Sequence, residues 1–310
     1  MRISAIVPAT DQPTTLDRCV RAAKRALGPH DELIVIREPV GLGPAAARNL
    51  GVQSAVGDLL VFVDSDVEVH EDAFARIMRA FEEDDELVAL FGSYDDDPER
   101  HGRVSDFRNL LHHHVHHEGG GPATTFWSGL GALRRNAFHA VGGFDERLRY
   151  LEDVDLGIRL VESNSAKILL DPAVQGKHLK QWTLANMIYT DFAGRGVPWI
   201  RLLVNNRSAS SSALNLGWRH RLSAAASILV VASLLARKPR TAVGAAGILL
   251  AANRSFYALL VRSRDWRQVV VGVPLHVVHH VVGVAAVPTA LMLELNARFA
   301  DWRKRQRSSG

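Results

Sequence analysis

The sequence predicts an α/β fold followed by a hydrophobic helical region, and three observations support this prediction. Short apolar runs alternate with helical segments over the first 66 residues. The composition is globular, since 47% of the 310 residues are hydrophobic and 23% are charged. Apolar segments with few charges fill the chain beyond residue 219. These features exclude a disordered chain, a collagen and a small disulfide-bonded scaffold.

The first part of the chain predicts a βαβαβ unit. The first strand follows Met1-Arg2 directly, so we expect no leader sequence. Gly28-Pro29 ends the first helix, and the second strand is short and rich in Ile and Val, which is typical of a strand buried on both faces. The expected elements are a strand at residues 3–8, a helix at 16–26, a strand at 33–36, a helix at 45–55 and a strand at 59–63.

This alternation indicates a mostly parallel sheet with helices on both faces. Such sheets bind ligands beyond the carboxyl ends of their strands. Residues 8–12, 37–43 and 64–66 lie at those ends and are therefore candidate binding loops.

The middle of the chain gives weaker signals. Residues 95–121 are polar and contain the histidine run at 112–117, so we expect an inserted or mobile segment. A helix is then expected to begin near residue 151, a strand at 168–170 to end at Asp171-Pro172, and a helix to cover residues 182–203. Residues 208–212 read as a linker, which predicts two domains at residues 1–212 and 213–310.

The two parts differ in charge. Residues 219–310 hold 14 basic and 3 acidic residues, a net charge of +11, which leaves −7 on residues 1–218 of the chain's total of +4. The apolar segments at 222–236, 241–261 and 268–292 have basic flanks. A soluble helical bundle is the alternative, but these segments lack a charged face. We expect a membrane-embedded or membrane-docked region with transmembrane helix character, attached at the cell membrane.

A single cysteine, Cys19, cannot form an internal disulfide. This predicts a reduced compartment and places the working domain on the cytoplasmic side.

Asp64 and Asp66 follow the third strand, where two carboxylates in a turn can bind one divalent cation. The alternative is an acidic turn or a helix N-cap. Glu152-Asp153 is a second acidic pair at the start of a helix, reached through Gly142-Gly143. A carboxylate held there can act as a general base, although carboxylates at this position also serve as caps.

Six strings of the sequence resemble, in their order, the family-2 type of glycosyltransferase with the GT-A fold. The strings cover residues 3 to about 180 and are AIVPATDQPTTLDRCV, GLGPAAARNLG, GDLLVFVDSDV, GLGALRRNAF, VGGFDERL and EDVDLGIRL. The resemblance implies a Rossmann-like nucleotide-binding sheet and an enzyme that transfers sugar from a nucleotide-sugar donor to a saccharide or lipid-linked acceptor. It implies no nucleic-acid partner.

The resemblance also implies roles for individual residues. Pro8, Ala9 and Thr10 line the nucleotide pocket, and Arg48 and Asn49 lie beside the base and ribose. Asp64 and Asp66 hold Mg²⁺ or Mn²⁺ on the sugar diphosphate, with His178 as a further ligand. Asp153 is the base of an inverting displacement, and Glu152 is its neighbour. For His178, a solvated surface histidine is the alternative.

The sequence differs from the family pattern at two places. The family has a pair of acidic residues after the second strand, and this chain has Arg37-Glu38 there, so only Glu38 can hold the nucleotide base. The Gln-x-x-Arg-Trp string of processive synthases is absent, because residues 181–184 read Gln-Trp-Thr-Leu. We therefore expect a single-addition transferase.

Two other classes remain as alternatives. The Gly41-x-Gly43 turn imitates a dinucleotide fingerprint and would suit a nicotinamide- or flavin-dependent oxidoreductase. A membrane scaffold with a degenerate transferase domain is the other, and the retained Asp64, Asp66 and Asp153 argue against it. The histidines at 112–117 could bind a transition metal but read more simply as an unstructured tract. His276, His279 and His280 share a helix face and are candidates for a functional role.

Overall fold

The structure is a computed structural model that describes residues 1–164, 166–205 and 217–308. It confirms an α/β fold followed by helices rich in apolar residues. The predicted linker at residues 208–212, and with it the predicted domain boundary, lies outside the described residues.

The described residues form strands, α-helices and one π-helical segment at Thr190–Gly196. The strands are β1 (Ile3–Pro8), β2 (Glu32–Ile36), β3 (Leu59–Val63), β4 (Val67–Val69), β5 (Leu87–Tyr94), β6 (Gly121–Ala123), β7 (Leu130–Arg134) and β8 (Lys167–His178). The helices of the sheet-containing part are α1 (Leu16–Ala26), α2 (Pro44–Ser54), α3 (Ala73–Glu83), α4 (Arg103–Glu118), α5 (Arg135–Ala140), α6 (Glu152–Asn164), α7 (Leu184–Tyr189) and α8 (Val197–Asn205). The later helices are α9 (Trp218–Leu235), α10 (Pro239–Ala252), α11 (Arg254–Ser263) and α12 (Trp266–Ser308).

The strands make one mixed sheet in the order β2-β1-β3-β7-β5-β8-β4, with β6 paired to β8. The predicted βαβαβ unit is confirmed, because β1 pairs in parallel with both β2 and β3. Strand β7 then runs antiparallel between β3 and β5. This insertion places the start of β7 beside the carboxyl end of β3.

Helices cover both faces of the sheet. On one face, Ile3, Ala5 and Val7 of β1 share a core with α1 and α3. On the other face, Ile6 joins a core with α2, α5 and α6. This alternation along β1 is the period-two pattern of a strand that packs on both sides.

Two predicted strands differ from the structure. The strand predicted at residues 33–36 is only half-buried, because β2 lies at the edge of the sheet. The strand predicted to end at Asp171-Pro172 continues as β8 to His178, since a register shift against β5 absorbs the irregularity.

The prediction of an inserted or mobile segment at residues 95–121 was wrong. Much of this segment is helix α4, in which Phe107 and Leu110 are fully buried. Phe107 packs against Phe256 of α11, with ring centroids 5.5 Å apart, and against His276 of α12. The helix can be both polar in composition and buried, because many of its polar groups face partners in the fold rather than water.

The three predicted apolar segments are all helical. The second is broken into α10 and α11, which are bent by 80°. Among the described residues, one helix, at Trp266–Ala300, is long and apolar enough to cross a membrane. If the bent pair of α10 and α11 is counted as a single span, the number of such segments is two. The first part of α12 also packs on α4 and α11, so this helix contributes to the core of the protein.

Candidate active site

The site forms where β3 and β7 meet. Residue Val63, the last of β3, pairs with Leu130, the first of β7. Asp64 follows, and its backbone N–H donates to the carbonyl of Gly129 over 3.0 Å. The side chains of Asp64 and Asp66 are about one third exposed, so both carboxylates can reach a ligand.

The second acidic pair begins α6 on the opposite side of the β3–β7 junction. The Asp153 carboxylate accepts hydrogen bonds from Ser128, at 3.1 Å from its backbone N–H and 3.4 Å from its hydroxyl. Helix α6 can approach this turn because residue 157 is glycine: a Cβ there would lie 2.3 Å from the backbone nitrogen of Phe126. Asp153 lies close enough to Asp64 for its negative charge to act to raise the pKa of Asp64.

Arg48 joins the two acidic pairs. Its guanidinium lies 2.6 Å from Asp64 and 2.7 Å from Glu152, and the residue is only 3% exposed. Burial acts to lower the pKa of Arg48, but the two carboxylates outweigh it and raise the pKa. Arg48 is thus a buried counter-charge, and its predicted place beside the base and ribose stays a prediction.

The carboxylates have different electrostatic surroundings. Burial raises the pKa of Glu152 to about 7 despite Arg48. Burial also acts against ionisation of Asp66, but His178 and Lys180 hold the pKa of Asp66 below its ordinary value. Asp66 is therefore favoured as an ionised carboxylate at neutral pH.

His178 is brought to this site by the pairing of β4 with β8, in which it lies opposite Val67. Its Nε2 atom is 3.5 Å from the Asp66 carboxylate. The residue is 4% exposed, so the alternative of a solvated surface histidine is wrong.

The predicted nucleotide-pocket residues lie at the ends of β1 and β2. Pro8, Ala9 and Thr10 are buried, and the backbone N–H of Ala9 donates to the carbonyl of Ile36. Glu38 is exposed in the following loop. Asn49 instead ties α2 to the turn before α6, since its amide donates to the carbonyl of Phe144 and its oxygen accepts from the same residue's N–H.

The histidines at 112–117 are part of α4 and not an unstructured tract. His113 and His116 donate through Nδ1 to the carbonyls of Tyr94 and Gly92 of β5, each over 2.9 Å. These bonds fasten α4 to the sheet. The sequence did not predict this helix, because a run of histidines lacks the regular spacing of apolar residues that indicates one.

Two further groups of the site were not predicted. Ser128 follows two aromatic residues and could have been noticed as a polar residue at a strand start. Asn109 lies in the segment expected to be mobile, and it bonds to both His178 and Trp182. Contacts of this kind join residues far apart in the chain, so spacing alone gives no signal for them.

Among the described residues, no group of three or more His, Cys, Asp or Glu side chains is arranged to hold a metal ion. This holds for the histidine run and for His276, His279 and His280. His276 contacts the Tyr257 hydroxyl at 3.0 Å, and His279 lies 2.7 Å from Asp191.

The glycine turn does not have the geometry of a dinucleotide fingerprint. Gly41 and Gly43 have positive φ angles of 78° and 89°, as tight turns require. They lie in a loop well beyond the end of β2 at Ile36, however, whereas the fingerprint glycines directly follow their strand.

The raised pKa of Glu152 predicts a pH dependence of stability. A buried acid with a raised pKa stabilises the folded state below its unfolded pKa, 4.5, and this contribution is lost as the pH rises through about 7. Chemical denaturation measures the free energy of unfolding. Between pH 4.5 and 8, this free energy should fall for wild type by up to about 3 kcal/mol more than for Glu152→Gln.

Glu162→Gln is the matched control, because Glu162 is exposed on the same helix. Its stability should follow the wild-type pH profile. A Glu152→Gln profile identical to that of wild type would contradict the raised pKa.

The sequence and fold match known glycosyltransferases. The model of the family described as Glycosyl transferase family 2 matches residues 17–142. A "Pre-mycofactocin glycosyltransferase" of Mycobacterium tuberculosis (strain CDC 1551 / Oshkosh) is 29% identical over 175 residues, covering 53% of this chain and 37% of that protein. An "Uncharacterized glycosyltransferase" of Haemophilus influenzae is 25% identical over 142 residues, covering 42% of this chain and 45% of that protein. The chain thus spans less than half the length of these relatives.

A solved structure shows the same fold. The mannosyltransferase PcManGT from Pyrobaculum calidifontis, in complex with GDP-Man and Mn²⁺, superposes with a TM-score of 0.57 at 13% identity, covering 94% of this chain and 87% of that one. The oxidoreductase alternative is not supported by these matches. Residues 17–142 are therefore similar to the glycosyl transferase family 2 domain, and the chain has a GT-A-like fold.

Proposed function

We propose that this protein is a single-addition glycosyltransferase that moves a sugar from a nucleotide-sugar donor to an acceptor with inversion. The observation that carries the proposal is the convergence of Asp64, Asp66 and Asp153 at the β3–β7 junction. Carboxylates that can bind a cation and a carboxylate that can accept a proton face one space, which is what displacement of a nucleoside diphosphate by an acceptor needs.

The donor side of the proposed site is the edge where β1, β2 and β3 end. Residues 8–10 form its floor, and the exposed Glu38 lies at its rim. The Glu38 carboxylate accepts from the backbone N–H of Val40 and has capacity left to accept hydrogen bonds from a base or ribose. The two parallel pairings of β1 bring these loops beside Asp64. A nucleotide bound here would present its diphosphate to the acidic turn.

Mg²⁺ or Mn²⁺ fits the donor set at this turn. Asp64 and Asp66 offer partly exposed carboxylate oxygens, the ligand type that hard divalent cations prefer. When bound, the cation offsets the negative charge that grows on the leaving diphosphate. The Mn²⁺ in the PcManGT complex is consistent with this assignment.

Asp153 is the proposed general base for a hydroxyl acceptor. Ser128 donates to one carboxylate oxygen and thereby fixes the orientation of the group. Glu152 is turned away toward Arg48, so its proposed part is to hold that counter-charge beside the base. A phosphate acceptor, by contrast, is already ionised and would need no base.

Asp66→Asn tests the divalent ion. It should abolish release of nucleoside diphosphate from a panel of nucleotide sugars in Mg²⁺ or Mn²⁺, because a neutral amide is a poor ligand. Asp96→Asn, at an exposed carboxylate, is the control and should retain activity. Full wild-type activity in excess chelator would refute metal dependence, and hydride transfer to a nicotinamide would refute the enzyme class.

Asp153→Asn tests the base. The kcat for a hydroxyl acceptor should fall by about 10²-fold or more, because the amide cannot take the proton, while donor binding changes little. Activity within a few-fold of wild type would mean that the acceptor is already ionised or that Asp153 only caps α6. Comparing KM and kcat for the donor separates these effects from loss of binding.

The acceptor is proposed to be saccharide or lipid-linked and to be met at the cytoplasmic face of the cell membrane. Helices α9 and α10 present exposed apolar side chains near their connecting turn, among them Leu235 at 81% and Val243 at 72%. The turn itself holds Arg237 and Lys238, and Arg240 lies in the first turn of α10. Apolar side chains beside basic ones suit an interface with anionic lipid, where each basic residue contributes about 1 kcal/mol.

Fractionation of the full chain tests this attachment. If apolar insertion holds the protein, it should stay with membranes in high salt and carbonate and leave only in detergent, because salt screens charge but not burial. Leu235→Gln with Val243→Gln should weaken binding to vesicles of anionic lipid, whereas Val56→Gln, at an exposed apolar residue next to β3, should not.

Release of wild type by salt alone would reduce the attachment to electrostatic docking. A monodisperse full-length protein without detergent would refute the membrane proposal.

A further inference from the structure

Asn109 of α4 receives two hydrogen bonds at one atom. The indole Nε1 of Trp182 lies 3.1 Å from Asn109 Oδ1, and Nδ1 of His178 lies 2.6 Å from the same oxygen. All three residues are buried, so neither contact is shared with bulk water. The group sits directly behind the Asp66 turn.

These contacts determine which nitrogen of His178 carries a proton. An indole N–H can only donate, so the Asn109 atom facing Trp182 must be the acceptor oxygen. The amide nitrogen is then directed toward the Ser105 hydroxyl, 3.4 Å away. Because Nδ1 of His178 faces an oxygen, Nδ1 must donate. In the neutral imidazole, the lone pair is therefore on Nε2.

The ring is also held in orientation. Tyr94 stacks on the His178 imidazole with centroids 4.1 Å apart and planes within 10°. The backbone N–H of Leu179 donates to the carbonyl of Asp66 over 2.8 Å, which ties the strand to the acidic turn. The Nε2 atom of His178 is thus held 3.5 Å from the Asp66 carboxylate.

We propose that Asn109 and Trp182 are positioning residues that make His178 Nε2 a ligand for the divalent cation beside Asp66. This inference rests on the proposed function, since it concerns the cation of that reaction. It adds two residues from α4 and from the chain after β8, neither of which touches the cation. Partners of this kind, which accept the second N–H of a ligating histidine, typically change metal affinity by about 10- to 100-fold when removed.

The test is titration of the full chain in detergent with Mn²⁺, with free Mn²⁺ measured by electron paramagnetic resonance. Asn109→Leu removes the acceptor, and Trp182→Phe removes the donor that orients the amide. Asn109→Asp keeps acceptor oxygens for both partners. The control is Trp266→Phe, at an indole that is 65% exposed.

We expect Asn109→Leu to weaken Mn²⁺ binding by about tenfold or more and Trp182→Phe to weaken it by a smaller factor. His178→Ala and Asp66→Asn should each weaken it at least as much as Asn109→Leu. Asn109→Asp should restore affinity to within about threefold of wild type, which a merely structural role for the amide would not do. Trp266→Phe should bind as wild type, and melting temperatures report whether each variant is folded.

Three results would overturn the inference. Wild-type Mn²⁺ affinity in His178→Ala would show that His178 is not a ligand. Loss of Mn²⁺ binding in His178→Ala but not in Asn109→Leu would show that His178 needs no positioning by Asn109. Either of these two results would leave the proposed function intact. No Mn²⁺ binding by wild type would overturn the metal site of the proposed function together with this inference.

Discussion

The site depends on one buried ion triad, in which Arg48 stands between Asp64 and Glu152. Four carboxylates, from the turn after β3 and from the start of α6, meet in a small volume, and their mutual repulsion would drive these elements apart. A guanidinium offers several N–H donors in a fixed plane, so a single side chain can satisfy carboxylates on two elements at once. An ammonium of the same charge could not bridge them with the same geometry. Helix α2 thus contributes the charge that allows the acidic groups of two other elements to converge.

Arg48 also explains why the two acidic pairs behave differently. In each pair, one carboxylate is turned inward to the guanidinium, Asp64 and Glu152 respectively. The other member of each pair does not bond to Arg48: Asp66 lies beside His178, and Asp153 accepts from Ser128. The sequence shows two acidic pairs, and the fold divides each into one member that pairs with Arg48 and one that does not.

The extent to which sequence predicted this arrangement follows from the range of the interactions. The βαβαβ unit and the position of Asp64 after a buried strand depend on local periodicity and were predicted correctly. The bridging position of Arg48 could not be predicted, because Glu152 is 104 residues away in the chain. Helix α4 was missed for a related reason: its buried polar groups bond to β5, β8 and α12, and a polar composition reads as a loop when these partners are unknown.

Helix α4 joins the site to the later helices through three consecutive residues. Successive side chains on a helix point about 100° apart, so Phe107, Arg108 and Asn109 face three directions. Phe107 enters the core shared with α11 and α12, and Asn109 reaches His178. Arg108 pairs over 2.9 Å with Asp191 of the π-helical segment, whose carboxylate also contacts His279 of α12.

A displacement of α12 would therefore act on α4 directly, and a rotation of α4 would move Asn109 away from His178. Helix α12, which follows the helices proposed to meet the membrane, thus supports the histidine beside the acidic turn through α4. The later helices and the candidate site are consequently not structurally independent parts of the protein. Removing the later helices would expose Phe107 and leave Asp191 without His279, so a loss of activity on truncation would not by itself distinguish a lost acceptor from a distorted site.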